Sequence, residues 1–216
     1  MILISLAVAG FALALDKLSP PDANRVRKIL GRARIVPIDK ADDGTPAVVR
    51  GTVALSEGAE LTAPLTGRRC VCWLLVFDEV GAKDFVELGR SHQGVPFLLR
   101  SDAGTARVIP ERAMLGVIPI REERQMPRAL HYPSGMDHPD KFTDLALRTC
   151  IQRPNHFTTT LRATEYAVVT GGPATVGGLV AHEADPEGAP DVVGYRTNLP
   201  SRPVLSGSRR ARLLIG

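Results

Sequence analysis

The pairing in this chain that most invites metal chemistry is Cys70-x-Cys72. Structural zinc sites space their cysteines by two to four residues and add two further ligands. On a strand, positions i and i+2 share a face, which predicts that the two thiols lie side by side. The third cysteine, Cys150, is distant and no histidine pair has finger spacing, so small apolar side chains in a core are the favoured reading. The histidines are scattered at 92, 131, 138, 156 and 182. Only His131, Asp137 and His138, with Asp140 beside them, form a dense group, and this is the weak candidate for a metal or acid–base centre. Polar loop surface is the plainer reading of the same residues. No G-x-S-x-G is present, and Gly171 to Gly178 lacks the Lys-Ser/Thr of a phosphate loop and precedes a strand. The sequence therefore assigns no catalytic residue, cofactor-binding residue or cofactor. No strand interleaves aromatic with basic residues as base-stacking surfaces do, so no nucleic-acid partner is expected.

The elements that would carry these residues are mostly short and β-rich. Asp22 to Leu30 follows Pro20-Pro21 and spaces Val26, Ile29 and Leu30 as a short helix does. Pro37 to Pro46 reads as a polar linker. Ala47–Leu55 is strand-like, Leu61–Arg69 has turn chemistry, and Cys70–Val80 reads as a central strand buried on both faces. Phe85–Leu88 is its candidate partner. Pro96–Arg100 and Thr105–Ile109 read as a hairpin around Gly104. Pro110 to Pro139 is irregular, with five prolines that predict loops or short strand pieces. Asp140–Cys150 reads as a helix capped by Asp140. Phe157–Leu161, Thr164–Thr170, Ala174–Ala181, Val192–Thr197 and Pro203–Ser206 are further strands, with a tight turn at Gly171-Gly172-Pro173 and an acidic turn from Glu183 to Asp191. The predicted class is all-β, barrel- or sandwich-like, with about eight to ten strands, one or two short helices and a hydrophobic helix ahead of them.

That leading segment is Met1 to Leu15, fifteen residues without a charge. A helix that crosses the hydrocarbon core needs about 20. The run reads as a short membrane anchor, with a cleaved signal ending near Ala12-Leu13-Ala14 as its rival. Lys17, Arg25, Arg27, Lys28, Arg32 and Arg34 come after it, which predicts a bulk domain on the cytoplasmic side of an inner membrane. The C-terminal arginines 196, 202, 209, 210 and 212 form a second basic cluster that anionic headgroups would also attract. The chain divides into an anchor or signal at 1–18, a basic juxtamembrane helix and linker at 19–46, and a β domain at 47–216. With 44% hydrophobic and 23% charged residues, wholesale disorder is excluded, and three cysteines exclude a disulfide-stapled miniature fold. The net charge of +4 is too small for a dedicated nucleic-acid binder.

Several segments in order resemble the GIDE domain family. Arg50-Gly-Thr-Val and Leu61-Thr-Ala-Pro-Leu-Thr-Gly-Arg-Arg-Cys-Val-Cys-Trp73 are similar to its opening. Pro96-Phe97-Leu98 with Val108 and Pro110, Thr164-Glu165-Tyr166 ahead of Gly171 to Gly178, and Tyr195 to Leu205 are similar to its later elements. The resemblance covers about Val48 to Leu214. It implies a mostly β domain beside a membrane, and it carries over Gly51, Pro64, Gly67, Cys70, Pro96, Glu165 and Gly178 as structural signature positions. Ubiquitin-ligase members of the family carry a RING finger. A RING needs eight Cys/His ligands in paired spacing, which three cysteines and scattered histidines do not supply, so the chain resembles the prokaryotic-type members without it.

The expected function is a membrane-associated, non-catalytic β domain that binds a protein partner of unknown identity or acts in the envelope. The alternative is a ubiquitin-ligase-like or hydrolytic component whose catalytic part is missing from this chain.

Overall fold

Residues 23–56, 58, 60–80, 85–111, 113–117, 119–125, 141–149, 160–185, 201–208 and 212–216 are described by the computed structural model. The chain is mostly β, with a closed five-stranded barrel and two short α-helices. The hydrophobic segment expected as an N-terminal helix lies outside the described residues, as do the Val192–Thr197 strand and the Asp140 cap.

The chain enters through α1 (Ala23–Arg32) and a 3₁₀-helix (Ile38–Lys40). Strand β1 (Pro46–Leu55) comes next. The barrel also contains β5 (Phe97–Ser101), β6 (Gly104–Ile109), β10 (Pro173–Ala184) and β11 (Ser201–Ser206). Round the barrel the order is β1-β5-β6-β11-β10, and β10 closes it by pairing back to β1. Only the β6–β11 pair is parallel. Numbered along the chain, these strands run 1-2-3-5-4, a Greek-key connectivity of the kind OB-folds use. Two short pieces, β7 (Met114–Leu115) and β12 (Leu214–Ile215), resume the paths of β6 and β11 and pair in parallel. Alternate residues fill the interior: Val49, Val53, Phe97, Leu99, Ala106, Val108, Val176 and Leu205 are all buried.

A second, antiparallel sheet is inserted between barrel strands. It contains β2 (Leu61–Thr62), β3 (Arg69–Val80), β4 (Phe85–Gly94), β8 (Pro119–Gln125) and β9 (Thr160–Val169). Strand β3 lies between β4 and β9, with β8 outside β9. Helix α2 (Lys141–Thr149) covers one face and sets Phe142 edge-on to Phe77, with ring centroids 5.4 Å apart.

The long central strand, the β5–β6 hairpin and the Gly171 turn match the sequence expectations. Three details differ. Thr160–Val169 is one strand where Phe157–Leu161 and Thr164–Thr170 were expected as two, because Arg162 and Ala163 of the expected gap stay in the ladder opposite Asp78 and Phe77. Glu183 belongs to β10 rather than to a turn, since it pairs with Arg202 across the ladder. Twelve strands occur among the described residues, because the Pro-rich stretch contributes β7 and β8.

Helix α1 is packed onto the barrel. Val26 and Leu30 form an apolar cluster with Val48, Met114 and Leu214, and Arg27 Nε donates to the Gly116 carbonyl at 2.7 Å. The 3₁₀-helix packs at the other end, where Ile38 approaches Gly104 at the start of β6 and joins the barrel core.

Candidate functional site

The Pro64–Gly67 reversal joins β2 to β3. Pro64 fixes one backbone angle, and Gly67 takes φ +73°, which a side chain would oppose. The loop closes on itself through Gly67 N–H to Ala63 O and Ala63 N–H to Arg68 O, both at 2.9 Å. Its tip points inward. The Leu65 and Thr66 amides donate to the two oxygens of Glu165 at 2.5 and 3.0 Å, and the Thr66 hydroxyl donates at 2.6 Å. Glu165 comes from the middle of β9, about a hundred residues later in the chain, and has 0% exposure. A buried carboxylate is tolerable only with such charge-assisted partners. Lys141 of α2 donates to the Leu65 carbonyl at 3.1 Å, so the same turn also fastens the helix.

Cys70 lies under this turn, buried with Ala63 and Ala167. Cys72 belongs instead to the barrel core. The shared face expected from their spacing is not realised. Against β9 the register passes from Cys70↔Val169 to Cys72↔Val168, so Val71 is the extra residue of a β-bulge, and it turns toward the barrel core with Cys72. Burial is the main cause that pushes the Cys70 thiol up to about 11, with the Glu165 and Glu60 charges adding to it. Burial likewise pushes Cys72 to about 12. Both thiols are therefore protonated at neutral pH, whereas a nucleophilic cysteine acts as the thiolate.

The other signature positions are in the barrel. A Cβ on Gly51 would stand 2.5 Å from the Arg100 carbonyl oxygen, where β1 passes from pairing with β10 to pairing with β5. A Cβ on Gly178 would stand 2.8 Å from Leu213 Cδ1, close to where β10 takes up β11. Both allow close strand approach at barrel corners. Pro96 leads into the fully buried Phe97. His131, Asp137 and His138 lie outside the described residues, among which no group of three or more His, Cys, Asp or Glu is arranged to hold a metal. The structure thus brings together Pro64, Gly67, Cys70 and Glu165, whereas Gly51 and Gly178 lie in the barrel ladder.

Two ionic clusters escape sequence reading. On the barrel, Glu183 accepts from Arg107 at 3.0 Å and from Arg202 at 2.8 Å. Burial works to raise its carboxyl, but the two guanidinium bonds outweigh it and hold the group below its ordinary value. On the second sheet, Arg162 donates to Asp78 at 2.7 Å and its guanidinium carbon lies 3.6 Å over the Phe85 ring. Both clusters are cross-strand, so no local spacing marks them.

The residues of β5 and β6 that alternate with the barrel core are Leu98, Arg100, Thr105, Arg107 and Ile109, with no aromatic ring for a base to stack on. No family model, no curated protein and no solved structure matches this chain.

Proposed function

We propose that this chain is a membrane-tethered, non-catalytic β module of the GIDE type, which presents a rigid surface to a protein partner. The observation that carries this reading is the use made of Glu165. The most reactive-looking buried group in the signature has its oxygens occupied by the two amides and the hydroxyl of the Pro64–Gly67 turn. Those residues hold each other in place, as positions kept for architecture do. Two features support the tether. The run of Met1 to Leu15 is fifteen residues without a charge, and a stretch with six basic residues between Lys17 and Arg34 follows it directly. The charge pattern favours an inner membrane with the domain on its cytoplasmic side.

The test is fractionation of the full chain. The protein is expected to pellet with membranes, to resist alkaline carbonate extraction, and to become soluble when residues 1–18 are deleted. Full-length protein recovered in the soluble fraction after mild lysis refutes the tether. Cross-linking in the native membrane then reports the partner.

A further inference from the structure

We infer that the exposed face of α1 is an anionic-lipid contact that orients the barrel on its membrane. This rests on the tethered reading and gives it a geometry. Helix α1 has two kinds of side chain and no acid. Val26 and Leu30 are buried against Met114 and Leu214, so the barrel fixes the helix rotation. Arg25, Lys28 and Arg32 are exposed and have i, i+3, i+7 spacing, which aligns them on one face. Arg34 extends the set just past the helix end and is also exposed. Among the described residues no carboxylate forms an ion pair with any of these four, whereas the exposed Arg69, Arg90, Arg121, Arg124 and Arg148 each have an acid beside them.

The fold adds to this charge. Arg212, close to the other end of the sequence, reaches Met114 Sδ at 3.7 Å and so joins the end of the barrel that α1 covers. Residue 216 is hydrogen-bonded in both directions to Thr175 on β10, which holds that segment beside α1. Arg212 and the basic helix, 180 residues or more apart in sequence, thus meet at one end of the barrel. Chain length decides the occupant. The apolar run ends at Leu15, eight residues before Ala23, so α1 lies within at most about 28 Å of the end of that run. A cationic face tied this closely to a bilayer meets headgroups before any other polyanion. Anionic lipid complements it, whereas zwitterionic lipid does not.

The experiment measures partition of the full chain onto vesicles of phosphatidylcholine, and of phosphatidylcholine with phosphatidylglycerol at 7:3, in low and high NaCl. At low salt the wild type is expected to favour the anionic vesicles on the order of a hundredfold, with the preference fading as salt rises. The R25Q/K28Q/R32Q variant is expected to lose that preference, while R25K/K28R/R32K keeps it. The three exchanged positions are exposed in both variants, and an unchanged thermal melt shows that the variants fold. A glutamine variant that keeps the preference, or a wild type that has none, overturns the inference. Loss of single-stranded oligonucleotide binding in the glutamine variant, without any vesicle effect, overturns it in favour of nucleic acid. Partition onto pure phosphatidylcholine reads the apolar run separately. Its absence sinks the tether while the lipid-charge comparison still judges the helix face.

Discussion

Glu165 is the residue on which two parts of the chain depend. Its carboxylate satisfies two amides and a hydroxyl of a turn that would otherwise be left with inward-facing donors. Glu165→Ala is expected to destabilise the protein by about 3 kcal/mol. Melting should then fall by roughly 6–12 °C. Thr66→Val removes one of the three donors and should cost about 1 kcal/mol. Calorimetry of both variants checks the ratio, and equal losses would mean that the carboxylate is not the anchor. Part of this was legible in the sequence. The family resemblance marked Glu165 as a structural position, but its partner was not legible, because the partner lies about a hundred residues away. The Cys70–Cys72 spacing misled for a related reason. One inserted residue in a ladder reverses the facing of every later residue on that strand, and nothing in Cys-Val-Cys announces the bulge.

At the scale of elements, glycines of one residue type do two different jobs, and substitution separates them. Gly67 has open space around its Cα but a positive φ, so Gly67→Ala should cost about 1 kcal/mol and Gly67→Asn less. Gly51 has an ordinary φ and a carbonyl oxygen in the way, so Gly51→Ala should cost about 1–3 kcal/mol, and Asn there should be worse still. Urea titrations with unchanged m-values would reveal this opposite ordering of Ala and Asn. The strands themselves were largely readable, since alternation and β-branched runs mark β1, β3 and the β5–β6 hairpin. The short α1 was readable from its Val26, Ile29 and Leu30 spacing, although its docking site was not. The outer strand β8 carries Arg121, Glu122, Glu123 and Arg124, charges that discourage a further strand from pairing at that edge.

At the scale of the whole molecule, the barrel carries its own acid sensitivity. Glu183 ties β6 and β11 through Arg107 and Arg202, and its folded-state pKa lies below the ordinary 4.5. A depressed carboxyl contributes stability that is complete above the unfolded value and is lost as pH falls through the folded one. Melting temperature should therefore drop with pH below about 4.5, and Glu183→Gln should be less stable at neutral pH but show a flatter acid limb. Identical acid limbs for the two proteins would remove Glu183 from the account. The mostly β class was predictable from composition and turn density. The choice between the barrel and the sandwich was not, because closure depends on pairing between strands far apart in the chain.

That pairing also sets an order of events at the ribosome. Strand β1 leaves the exit tunnel with only β5 soon to emerge, and its other flank stays bare until Pro173–Leu179 has been translated. For more than a hundred residues of synthesis the nascent chain exposes a sticky β border. Translation speed and chaperone supply during that interval should therefore influence the yield of native protein more than the stability of the finished barrel does.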